Sequence, residues 1–285
     1  MIATLLMAAM LAGFTAAQKP SVPASPEDID ALARQVAGEK GTSVERTQRL
    51  VTWMNTNFDW TATDYEQRTA EQIIARRGGN CAELSRVLAR LLRPARVRYR
   101  WISEINIHPD SPRRQETAAR MVQEKGPRFS VFGLRHNDHR WLEIYDEVSQ
   151  HWVPADPSIG VVGIGPWIQF RMGLVKRPAP AVPAVASIVE QMIVPFAVMV
   201  RSECTSEVED RSELYLIEEF NRAYDGRLAS LPAWKDWTRG VRELAPLSAG
   251  AFQGTVNLHE HVEEIARLAE AYLALRQQAE AAGLH

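Results

Sequence analysis

Cys81, His139 and Asp156 lie far apart in a chain of 285 residues, and together they are the side-chain types that nucleophilic acyl transfer uses. A thiol attacks as the thiolate, and a helix N-terminus favours that form through its free N–H groups and its dipole. Cys81 falls at the first position of an expected helix, directly after the natural N-cap Asn80. The same placement lets the Cys81 backbone N–H face a developing oxyanion. His139 supplies a base that takes and returns a proton, and Asp156 a carboxylate that holds the imidazole tautomer and supports its protonated form. Each residue alone has a plainer reading. Cys81 is equally a small buried hydrophobe, or half of a disulfide with Cys204, the other cysteine of the chain. A lone His139 reads as a hydrogen-bonded sheet histidine, and Asp156 before Pro157 as the end of a strand.

The nucleophile depends on the helix that presents it. Leu84, Val87, Leu88, Leu91 and Leu92 recur at steps of three and four, giving one buried face that runs to Pro94. Glu83, three residues after Asn80, completes a capping pair. Upstream, Ser25-Pro26-Glu27-Asp28 starts a helix towards Ala37, and Gly38 and Gly41 break the chain. Thr42 with Glu45 starts a second helix, striped by Val44, Leu50, Val51, Met54 and Phe58. A third helix begins near Thr69, turns Ile73 and Ile74 inward and stops at Gly78-Gly79.

The base and its carboxylate depend on strands. Val97 to Ile107 reads as one strand, and His139–Asp146 and His151–Asp156 as two more, close enough for a hairpin. Alternation puts His139, Trp141, Glu143 and Tyr145 on one face, and Trp152, Pro154 and Asp156 on one face. A two-residue turn at Glu147-Val148 sets His139 opposite Asp156, and a slip by two residues still leaves them diagonal neighbours. Between His108 and Asp138 the chain is polar and broken by prolines, an excursion from the sheet with a short helix around 118–124 that suits a lid or a substrate wall.

Taken together, Gly79-Asn80-Cys81, His139-Arg140-Trp141-Leu142-Glu143 and Trp152-Val153-Pro154-Ala155-Asp156-Pro157 resemble the core of the transglutaminase-like superfamily in order and spacing. The resemblance covers about Thr69 to Ser158. It implies an α+β fold with a papain-like core of helices packed on an antiparallel sheet. It also implies Cys81, His139 and Asp156 as catalytic nucleophile, base and orienting carboxylate, with acyl transfer on peptide or glutamine amides through a thioester. Hydrolysis is favoured over cross-linking, because the resemblance is to short bacterial members that lack the accessory domains of animal cross-linkers. The rival is an inactive binding or scaffolding module in which Cys81 is structural. A second oxyanion donor is unassigned among Trp53, Trp60 and Gln72. Relatives carry a longer passage between the cysteine helix and the next strand, so the direct run Leu91-Leu92-Arg93-Pro94-Ala95-Arg96 requires a tighter turn here.

The rest of the chain sets the context. A net charge of −2 and a pI near 6.4 provide no basic field for a phosphate backbone, which argues against a nucleic-acid partner; a protein or peptide substrate is what the resemblance implies. Residues 1–17 read as an export signal, apolar and then small, and 18–25 as a tether, which predicts a secreted or periplasmic protein without a stable membrane span. The core is expected over 26–176, a proline-rich linker over 177–184 and a mostly helical extension over 185–285. Within it, Ser187 to Val200 reads as a buried helix and strand. Leu258, Val262, Ile265, Leu268, Tyr272 and Leu275 form a stripe that packs on the protein's own core. His259 and His261 among Glu260, Glu263 and Glu264 lack the HExxH spacing, and the triad accounts for His139 beside His136 and Asp138, so neither metal nor cofactor is expected.

Overall fold

A computed structural model describes residues 25–61, 66–107, 124, 139–174, 194–201 and 207–284. The expected signal and most of the tether, the excursion apart from Glu124, the linker, His136, Asp138 and Cys204 lie outside the described residues.

Reciprocal capping starts four helices in succession. Ser25 opens α1 (Pro26–Ala37), Thr42 opens α2 (Ser43–Asn57), Thr69 opens α3 (Ala70–Arg76) and Asn80 opens α4 (Cys81–Leu92). Each cap satisfies an N–H that the helix leaves unpaired, a contribution of about 1 kcal/mol. The third helix stops one residue earlier than the glycines, at Arg77, whose left-handed φ of 56° turns the chain. Gly78–Gly79 instead forms a short strand, β2, parallel to β1 (Asp59–Trp60). The end of α4 is as tight as the sequence requires: Val97 N–H donates to Leu92 C=O at 3.1 Å, and Arg96 takes a φ of 54°.

The main sheet has six strands in the order β6-β5-β4-β3-β7-β8. They are β3 (Tyr99–Ile107), β4 (His139–Asp146), β5 (His151–Asp156), β6 (Val161–Val162), β7 (Val194–Arg201) and β8 (Val208–Asp210), and every pairing is antiparallel. The β4–β5 turn differs from the expected two-residue turn. It spans residues 147–150, because the Asp146 carboxylate accepts from Val148 N–H at 3.1 Å and Ser149 N–H at 3.2 Å, and Asp146 pairs with His151. The register therefore shifts by two residues and keeps every side chain on its face.

Alternation gives the sheet two buried faces. Leu142, Ile144 and Ala155 pack with Ile29, Leu50, Met54, Leu84, Leu88 and Leu91 of the N-terminal helices. Trp141 and Ile102 pack on the opposite side with Trp167 of helix α5 (Ile164–Met172), Phe196, Tyr215 and the last two helices, α6 (Pro232–Gln253) and α7 (Val262–Ala281). The chain after residue 184 is thus not only helical. It supplies β7 and β8 to the same sheet, and β7 pairs along β3 where an open edge would otherwise be left. In α7 the buried stripe is Ile265, Leu268, Tyr272 and Leu275, whereas Val262, at the helix start, is exposed.

Candidate active site

Helix α4 presents Cys81 at its first position, partly exposed and as a free thiol. Asn80 Oδ1 accepts from Ala82 N–H at 3.0 Å and Glu83 N–H at 3.1 Å, and Glu83 Oε2 accepts from Asn80 N–H at 3.1 Å. Glu83 is itself buried against Arg68 at 2.9 Å. These bonds hold the first turn, while the adjacent Cys81 keeps its side chain for chemistry. A Cβ on Gly79 would come within 2.7 Å of Glu83 Cβ, so the approach to the helix is built around a residue without a side chain.

His139 is the first residue of β4, and its Nε2 lies 2.6 Å from Asp156 Oδ2 on β5. Asp156 is fully buried and His139 nearly so, and Asp156 Oδ1 accepts from Ser158 N–H at 3.0 Å. The Cys81 thiol is hydrogen-bonded to the His139 side chain and to the Arg140 backbone N–H. The strand and the helix are tied here as well, since Ser85 Oγ donates to Arg140 C=O at 2.9 Å.

The electrostatics favour a charged pair. Burial pushes the Cys81 thiol up, but the bond and charge of His139 and the Arg140 amide outweigh it and hold the thiol below its usual range. Burial pushes the His139 imidazole down, yet Asp156, Glu104 and the thiol together raise it well above the ordinary histidine value. Asp156 is raised by burial and lowered by more through His139, Arg171 and Ser158, ending below the usual carboxylate range.

The three residues singled out in the sequence thus come together. Of the three upstream candidates for an oxyanion donor, Trp60 runs beside Gly79, two residues before Cys81, and with Leu84, Pro157 and Ser158 lines a narrow cleft. Gln72 spends its carbonyl on the α3 cap, and Trp53 stacks edge-on against Phe58. Larger hollows lie elsewhere, one between α6 and α7 and one by Arg34 and Arg96. Glu104, the register partner of His139, and Arg171, paired with it at 2.6 Å, were missed in the sequence; the signal for Glu104 was a carboxylate amid Ile102, Ile105 and Ile107. Among the described residues no group of three or more His, Cys, Asp or Glu is placed to hold a metal, and no helix is long and apolar enough to cross a membrane.

Residues 30–157 match the family model described as the transglutaminase-like superfamily. A candidate cysteine protease from Cytophaga hutchinsonii aligns at 15% identity and a TM-score of 0.34, covering 50% of this chain and 43% of its own. A Rad4–Rad23 structure bound to a 6-4 photoproduct UV lesion aligns at 11% identity and a TM-score of 0.37, covering 90% of this chain and 53% of that one. This chain therefore spans about half the length of those structures. A comparison with curated proteins finds no match.

Proposed function

Residues 30–157 belong to the transglutaminase-like superfamily, and on that premise we propose that the protein is a cysteine-dependent acyltransferase acting on peptide or glutamine amides. The observation that carries this reading is the His139–Asp156 contact of 2.6 Å together with the hydrogen bond between His139 and Cys81. The Cys81 thiolate attacks the amide carbonyl carbon, and the oxyanion is met by the Cys81 backbone N–H at the start of α4. The imidazolium of His139 gives its proton to the leaving nitrogen, the C–N bond breaks and a thioester remains. His139 then takes a proton from the incoming acceptor as it bonds to the carbonyl carbon, the C–S bond breaks and the thiolate–imidazolium pair is restored. Asp156 stays ionised throughout and holds the ring in place.

Water is the favoured acceptor, which makes the reaction a hydrolysis of a protein or peptide, and the apolar start of the chain is read as directing export. A fluorogenic acyl-amide substrate tests the reading, with product analysed in water and in excess primary amine. Turnover that disappears in Cys81→Ala and yields free acid even with amine present supports hydrolysis. Amine conjugate as the main product overturns hydrolysis in favour of cross-linking, and turnover that survives Cys81→Ala ends the cysteine mechanism.

A further inference from the structure

Strand β3 carries a carboxylate in the buried interior of the sheet. Glu104 is fully buried between Ile102 and Ile105 and is the register partner of His139 across β3 and β4. Its oxygens are held from other directions: Oε1 accepts from the Trp141 indole N–H at 2.6 Å, and Oε2 accepts from Arg171 Nη2 at 2.6 Å. Arg171, on α5, is 6% exposed and also donates to Asn106 Oδ1 at 3.3 Å. A buried ion pair often contributes less to stability than apolar side chains of the same volume, so stability is a weak reason for this one.

Its location suggests a stronger reason. The His139 ring sits between two strands that each bring a carboxylate: Asp156 of β5, hydrogen-bonded to it, and Glu104 of β3, whose oxygens are engaged elsewhere. Cys81 of α4 faces the ring too, and Arg171 of α5 acts on both carboxylates. We infer that Glu104 and Arg171 are positioning residues that set the pH range over which His139 stays protonated beside the Cys81 thiolate. The charge of Glu104 stabilises the imidazolium through a medium of low dielectric. Arg171 and Trp141 hold that carboxylate turned away, so that it does not draw the ring off the thiol. Burial lowers the His139 imidazole, and the Asp156 and Glu104 charges more than offset it.

The inference rests on reading Cys81 and His139 as the reactive pair, and the test separates the two. Iodoacetate is an anionic electrophile drawn to a protonated imidazole, so its rate on Cys81 of the whole protein rises as the thiolate forms and falls as the imidazolium is lost. In Glu104→Gln the falling limb is expected to move to lower pH by about half a unit or more. Glu104→Gln combined with Arg171→Met leaves no unpaired buried cation and is the variant to use if the single one does not fold. It moves the limb the same way but less, because removing the Arg171 charge partly offsets the loss of Glu104. A limb that stays at the wild-type pH in the folded variants, or moves to higher pH, overturns the inference whatever happens to the maximal rate. A wild-type profile with no falling limb overturns the reactive pair itself, and this inference with it.

Discussion

The Ser85 hydroxyl donates to the Arg140 carbonyl over 2.9 Å, joining helix α4 one turn beyond Cys81 to the residue that follows His139. Nucleophile and base thereby share a single mechanical link, because Arg140 also offers its backbone N–H to the thiol. Ser85→Ala removes a hydrogen bond at a fully buried position. It is expected to cost about 1–2 kcal/mol in urea unfolding and to slow alkylation of Cys81 by iodoacetamide at pH 6.

The His139–Asp156 pair makes stability depend on pH in a definite direction. His139 is raised by folding, so its contribution is full below the unfolded value of about 6.5 and is lost as pH rises through the folded one. Asp156 is lowered by folding, so its contribution is present above about 3.9 and is lost as pH falls through the folded value. Urea midpoints of the wild type and Asp156→Asn measured from pH 3 to 10 should therefore differ most between about pH 4 and 6.5. A gap that widens continuously up to pH 10 contradicts the pairing.

Tyr215, from the C-terminal part, donates its hydroxyl to Glu143 Oε1 at 2.6 Å, and Arg100 and Arg211 reach the same buried carboxylate at 2.5 and 3.3 Å. Its ring also packs against Trp141 and Trp167, with centroids 5.5 and 4.9 Å away. Tyr215→Phe keeps the ring and deletes one charge-assisted bond, so a loss of about 1.5–3 kcal/mol is expected in chemical denaturation. Because the sheet is shared, fluorescence and circular dichroism should report one coincident transition for the N-terminal and C-terminal parts.

Two glycines separate crowding from flexibility. Gly79→Ala sets a Cβ 2.7 Å from Glu83 Cβ and must displace the side chain that caps α4, so both stability and the alkylation rate at Cys81 should fall. Gly165→Ala, in α5, meets nothing within 4 Å and should be neutral or stabilising by about 0.4–1 kcal/mol in thermal melts. Equal losses in both would show that chain flexibility, not crowding, dominates.

What the sequence by itself determined is what neighbouring residues settle between them. The caps at Ser25, Thr42, Thr69 and Asn80, the apolar stripe of α4 and the alternation in β4 and β5 depend on residues a few positions apart, and the placement of Cys81 and the shared face of His139 and Asp156 follow from them. Local chemistry already misled at the β4–β5 turn, where the Asp146 carboxylate made a four-residue turn. The site survived because a shift of two residues preserves the face. Tertiary structure alone decided the rest. The pairing of β7 with β3, the clamp on Glu143 and the buried Glu104–Arg171 pair join residues 43 or more positions apart. A carboxylate in an apolar strand can announce that it needs a partner, but the partner's identity is fixed only when packing brings two distant segments into one low-dielectric space.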